Sequence, residues 1–97
     1  MVQIRGDIDL RTSPRLREQL LDTARANSGQ LLLDLTGVPY MDSSGVGTMV
    51  FVKREVERGG GRMVLIGLQP RVRSVFEITN LEKFFKIVQS VDEATRK

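Results

Sequence analysis

The sequence predicts one small α/β domain on a mainly parallel sheet of four to five strands, with elements in the order β-α-β-α-β-α-β-α. Three observations predict it. The short apolar runs Leu31-Leu32-Leu33-Asp34-Leu35 and Met63-Val64-Leu65-Ile66 have the near-continuous character of strands inside a parallel sheet. Segments with apolar residues at helical spacing lie between and around them. Finally, 97 residues hold one core and no second, so the expected domain is residues 1–97.

The elements follow in order. Residues 2–10 alternate apolar and polar with period two and read as a strand kinked at Gly6. Thr12-Ser13-Pro14 supplies a hydroxyl cap followed by proline, so a helix starts there and runs to about Asn27. Its buried face is Leu16, Leu20, Leu21 and Ala24. The Leu31–Leu35 run is expected to be a strand buried on both faces, and residues 36–41 form the loop that leaves it. A second helix begins at Asp42 or Ser43, and Gly59-Gly60-Gly61 stops it after Arg58. Its stripe is Val46, Met49, Val50 and Val56, widened by Phe51 and Val52. A third strand covers residues 62–67. The third helix opens at Gln69-Pro70, carries Val72, Val75, Phe76 and Thr79 inward, and closes at Asn80 with Leu81 packed over its end. Residues 84–88 read as a last strand, and Ser90 starts a C-terminal helix.

Two missing residue types narrow the chemistry. With no cysteine there is no disulfide framework, thiolate zinc site or thiol nucleophile. With no histidine, the usual general base and commonest metal ligand are gone. No signal peptide is legible, since Arg5 and Asp7 interrupt any apolar segment at the start. No apolar run approaches the roughly 20 residues of a membrane helix. The expected address is the cytoplasm, without a membrane partner. The net charge of +3 raises nucleic acid as a ligand, but the basic residues are mixed with glutamates. Four of the five aromatics (Phe51, Phe76, Phe84 and Phe85) sit in or beside apolar clusters instead of forming a stacking platform. No direct nucleic-acid binding is expected.

Enzyme readings fail on specific residues. Ser43 and Ser44 have no histidine base, no G-x-S-x-G elbow, and no lysine three positions on. Gly45-Val46-Gly47-Thr48-Met49-Val50 begins like a G-x-G-x-x-G cradle, but Val50 replaces the third glycine and the motif lies within a helix. There the glycines are better explained by close packing of helix on strand. Asp7, Asp9, Asp34 and Asp42 could gather at a sheet end around magnesium, yet the chain is a strand–helix unit short of a five-stranded doubly wound sheet. No cofactor is expected.

What remains is serine as a substrate. Ser43 stands where a strand-exit loop meets a helix N-terminus, with Met41 and Val46 pointing inward and its own hydroxyl outward. The unpaired N–H groups and the helix dipole there favour negative charge, so a phosphate would be tolerated by the fold. A docked partner would meet about −1.5 to −2 new charges. The same Asp-Ser-Ser-Gly run is equally an ordinary cap in which Asp42 accepts backbone N–H bonds, and local physics alone favours that cap.

The motifs Gly6-Asp7-Ile8-Asp9 and Asp34-Leu35-Thr36-Gly37-Val38-Pro39-Tyr40-Met41-Asp42-Ser43-Ser44-Gly45-Val46-Gly47 resemble those of anti-sigma factor antagonists of the STAS domain family. The resemblance continues through Gly60-Gly61-Arg62-Met63-Val64-Leu65 and covers nearly the whole chain. It implies a partner-switching regulator and not an enzyme. The unphosphorylated form would bind an anti-sigma factor that is also a serine kinase of the HATPase type, releasing a sigma factor. Phosphorylation would end that binding, and a PP2C-type phosphatase would reset it. On this resemblance Ser43 is the phosphoryl acceptor and Ser44 its neighbour. Asp9 lies near it at the same sheet end, Asp42 caps the helix, and Gly45 and Gly47 keep the ridge low for the partner. The alternative is a STAS interaction subunit of another assembly, a stressosome-like scaffold or a lipid-transport accessory protein. Two departures stand out. Family members usually have a further strand ahead of the G-x-x-D strand, and this sequence starts too late to hold it. Either the domain does without that edge strand, and the uncovered edge would favour weak self-association, or the true start lies upstream. Antagonists are often acidic and this chain is basic, so a more acidic partner is expected.

Overall fold

The computed structural model describes residues 1–95, and the last two residues of the expected domain, 96 and 97, lie outside the described residues. The elements are β1 (Val2–Arg5), α1 (Ser13–Ala26), β2 (Gln30–Gly37), α2 (Ser43–Arg58), β3 (Arg62–Ile66), α3 (Pro70–Ile78), a 3-10 turn (Glu82–Phe84), β4 (Lys86–Val88) and α4 (Val91–Thr95). The strands lie in chain order, β1-β2-β3-β4, and every pairing is parallel. Right-handed crossovers between strands in that order place their helices on one face of the sheet.

The alternation of side chains divides the core accordingly. Ile4, Leu31, Leu33, Leu35, Met63 and Leu65 form the main core with Leu20 and Ala24 of α1, Val46, Met49, Val52 and Val56 of α2, and Val72 and Phe76 of α3. The intervening residues Val64, Ile66 and Val88 face the other way and pack with Ala94 of α4, joined by half-buried Leu32. Each fully buried aliphatic side chain contributes about 1.5–3 kcal/mol relative to exposure, so the three-helix face carries most of the stability.

Four expectations are corrected. β2 is fully buried on one face only. Leu32 and Asp34 are half-buried because α4, the only helix on that side among the described residues, packs on β3 and β4. The first strand ends at Arg5, since Gly6 takes a left-handed φ of 89° and turns the chain. Pairing returns for a single residue: Ile8 bridges Met41, with Ile8 N donating to Tyr40 O at 3.0 Å and Asp42 N to Ile8 O at 3.2 Å. The last strand is shorter than the sequence suggests. Phe85 sinks edge-on against Phe76, with ring centroids 5.2 Å apart, so the chain turns through residues 82–84 before it can pair. Phe84 is left at 38% exposure, with Lys53 over its ring. Finally, Phe51 does not widen the buried stripe of α2. It is 42% exposed because its side of the helix faces the outer seam with α1.

Candidate functional site

The bridge between Ile8 and Met41 fixes the geometry of the site. It brings the Asp9 turn that opens α1 against the Asp42 turn that opens α2. Gly45 lets this happen. A Cβ at position 45 would stand 2.5 Å from Met41 Cγ and 2.8 Å from Ile8 Cγ2, both on side chains with almost no exposed surface. The expected close helix–strand packing therefore holds at Gly45. Gly47 differs, because a Cβ there would meet nothing within 4 Å. Its missing side chain lowers the outer surface of the helix and relieves no contact.

Asp42 caps α2. Its Oδ1 accepts the Ser44 and Gly45 N–H groups at 2.9 and 3.3 Å, and the Ser44 hydroxyl donates to the same oxygen at 2.5 Å. The Ser44 hydroxyl is the main reason the Asp42 carboxyl lies below the usual aspartate value. Burial opposes it, and the N–H groups of Gly45, Ser44 and Leu10 add to it. On the α1 side, the Ser13 hydroxyl donates to the Asp9 carbonyl at 2.7 Å and lies 3.3 Å from the Ser44 hydroxyl oxygen. Each hydroxyl has one proton, and the two short bonds use both. The pair is thus held mainly by its outer anchors, Asp9 O and Asp42 Oδ1.

Ser43 is exposed, and among the described residues its hydroxyl makes no hydrogen bond. The two adjacent serines are therefore chemically distinct: Ser44 is locked inward and Ser43 is presented. Met41 and Val46 are buried on either side, as expected.

Asp9 reaches the ridge only indirectly, through its carbonyl and Ser13. Its carboxylate turns toward its own loop, where Oδ1 accepts the Arg11 and Thr12 N–H groups at 2.9 and 3.2 Å and Oδ2 lies 3.6 Å from the Arg11 guanidinium. Burial would raise this carboxyl, but those N–H bonds and Arg11 outweigh it and hold it low. The anticipated capping of α1 by Thr12 is not seen. The Thr12 hydroxyl is engaged with Asp7 and Asp9, and Asp9 organises the turn instead. The sequence marks Ser13 only as part of a helix start. It is the one buried polar side chain among the described residues, and a hydroxyl before Pro14 carries no sequence signal of that role. Among the described residues, no three acidic side chains gather in a way that could hold a metal ion. No helix there is long and apolar enough to cross a membrane.

A parallel four-stranded sheet with a serine presented at a helix start defines a small α/β interaction domain. The STAS domain profile matches residues 1–94, and the chain belongs to the STAS domain family. It is 37% identical over 86 residues to the anti-sigma-B factor antagonist of Bacillus subtilis, covering 89% of this chain and 78% of that protein. Its fold matches the anti-sigma factor antagonist SpoIIAA in its unphosphorylated form with a TM-score of 0.79 and 26% identity, covering 95% of this chain and 80% of the other. Against the phosphorylated form of the Bacillus cell fate determinant SpoIIAA the TM-score is 0.68, again at 26% identity, covering 95% and 83%. These relatives are regulatory proteins.

Proposed function

We propose that the chain is an anti-sigma factor antagonist whose Ser43 is the phosphoryl acceptor of a partner switch. The unphosphorylated domain binds an anti-sigma factor that is also a serine kinase and so frees a sigma factor in the cytoplasm. Phosphate on Ser43 ends the binding, and a PP2C-type phosphatase removes it. The observation that carries the reading is the contrast at the ridge: Ser44 is bonded to Asp42, while the Ser43 hydroxyl is exposed and unbonded among the described residues. Relatives with this fold exist in both phosphorylated and unphosphorylated forms, which supports a switch that the domain survives.

The chain contributes no catalysis in this reading. Transfer needs a base to receive the serine proton and groups to bind ATP, and a kinase supplies both. The chain contributes presentation: Asp42 fixes the first turn of α2, Gly45 seats it on the Ile8–Met41 bridge, and Gly47 leaves the approach open. The new charge sits at the N-terminal end of α2, where the helix dipole favours negative charge, so the fold tolerates what the interface does not.

Calorimetric titration against the purified anti-sigma factors encoded in the same genome tests the reading. Wild type and Ser43→Ala are expected to bind one of them, and Ser43→Asp is expected to fail. Equal affinity of Ser43→Asp and wild type would overturn it.

A further inference from the structure

We propose that the stripe running from Ser43 through Gly47 to Phe51 on α2, flanked by Arg17 and Arg54, is a docking surface for an acidic partner, with Phe51 as its apolar anchor. This rests on the reading of Ser43 above and names the chemistry of the surface that reading requires. The three α2 positions are four residues apart and run down one helix face, with Ser43 and Phe51 about 12 Å apart along the axis. All three are exposed. At the Ser43 end, Leu10 is 75% exposed and its N–H lies at the Asp42 carboxylate. At the far end the Phe51 ring is 42% exposed and the Arg17 guanidinium stands 5.2 Å from its centroid.

Charge selects the occupant. Among the described residues Arg17 and Arg54 make no ion pair, as is also true of Arg5, Arg15 and Arg71 elsewhere on the surface, whereas Lys53 and Arg58 on the same helix as Arg54 each have an acidic partner. The carboxylates near the stripe are engaged: Asp9 with Arg11, Asp42 with the α2 N-terminus, and Glu55 with Arg58. Glu18 follows Arg17 but projects about 100° further round α1. One guanidinium over the ring and a second, Arg54, one turn along the same helix match a groove with an apolar floor and carboxylates on its rim, because each planar guanidinium can take a carboxylate with two hydrogen bonds. The sign also accounts for the switch. A phosphate on Ser43 adds about −1.5 to −2 charges to a surface that docks an acidic partner.

The competing possibility is that Arg17 and Phe51 only close the outer seam between α1 and α2. Titrating each purified anti-sigma kinase of the same genome with wild type, Phe51→Ala, Phe51→Tyr, Arg17→Gln/Arg54→Gln and Ser43→Asp, at low and physiological ionic strength, decides. Wild-type binding is expected to weaken with salt. Phe51→Ala should lose about tenfold or more in affinity, the range of a buried anchor, with Phe51→Tyr near wild type. Arg17→Gln/Arg54→Gln should bind more weakly and with a flatter salt dependence. If Ser43→Asp abolishes binding while the ring and arginine variants match wild type, the docking surface is refuted and the switch stands. Ring-dependent but salt-independent binding refutes the acidic partner. If wild type binds none of the kinases, the reading of Ser43 fails and the docking surface falls with it.

Discussion

The two sides of the α2 N-terminus differ in how much the fold determines them. On the inner side every group has a partner. Gly45 touches Ile8 and Met41, Ser44 is bonded to Asp42, and Ser13, beside that hydroxyl, is bonded to the Asp9 carbonyl. On the outer side Ser43, one residue from Ser44, has no bonded partner among the described residues, and Gly47, two residues from Gly45, has open space where a side chain would stand. A modifiable group needs both. It must be free enough to enter another protein's active site and mounted on something that does not yield when its charge changes.

Substitutions that exchange the two sides show the contrast most strongly. Gly45→Ala drives a methyl into Met41 and Ile8, and we expect a loss of about 1–3 kcal/mol in denaturant unfolding, the usual cost of overpacking. Gly47→Ala meets no atom and gains helix propensity, so it should be neutral or stabilising by up to about 1 kcal/mol. Equal destabilisation by both would remove the distinction between the two glycines.

The serines give a smaller difference of the same kind. Ser13→Ala deletes a buried hydroxyl with a short bond to Asp9 O and should cost about 1 kcal/mol. Ser43→Ala should leave unfolding unchanged within about 0.5 kcal/mol, as surface substitutions do. A Ser43→Ala variant as unstable as Ser13→Ala would mean that the presented hydroxyl is structural after all.

The smallest effect at neutral pH concerns Asp42. Its carboxyl is lower in the folded chain than the ordinary aspartate value of about 3.9, so its contribution is present above that value. It is lost as pH falls through the unfolded and then the folded value. Asp9 and Asp34 shift the same way, the latter through the N–H and hydroxyl of Thr36. Thermal melts should therefore fall in midpoint below about pH 4. Asp42→Asn keeps an oxygen acceptor for the cap, so near pH 7 it should melt close to wild type and show a shallower acid loss. An unchanged acid slope would separate the cap from the carboxylate charge.

Much of this fold was legible because local pattern and tertiary environment agree. The runs around Leu33 and Leu65 are strands, the triple glycine ends α2, and Asn80 closes α3 with a left-handed φ of 60° while Leu81 N bonds Phe76 O. Legibility failed where a neighbour distant in sequence decides. Whether Phe51 is core or surface depends on how α1 lies against α2, and whether residue 84 pairs depends on where Phe85 finds Phe76. At the site, the cap by Asp42 was readable from Asp-Ser-Ser-Gly. The part played by Ser13 was not, because it bonds a backbone carbonyl that any residue could offer. Asp9 was expected near the acceptor, but its carboxylate serves the α1 turn and its carbonyl makes the link.

The measurement that bears most directly on the central claim is site mapping. The protein is incubated with ATP and the anti-sigma kinase it binds, then digested and sequenced by tandem mass spectrometry. One phosphate is expected, on Ser43, absent from Ser43→Ala and retained by Ser44→Ala. Phosphate on Ser44 or elsewhere in the wild-type chain, or none at all, would contradict the assignment of Ser43 as the presented acceptor.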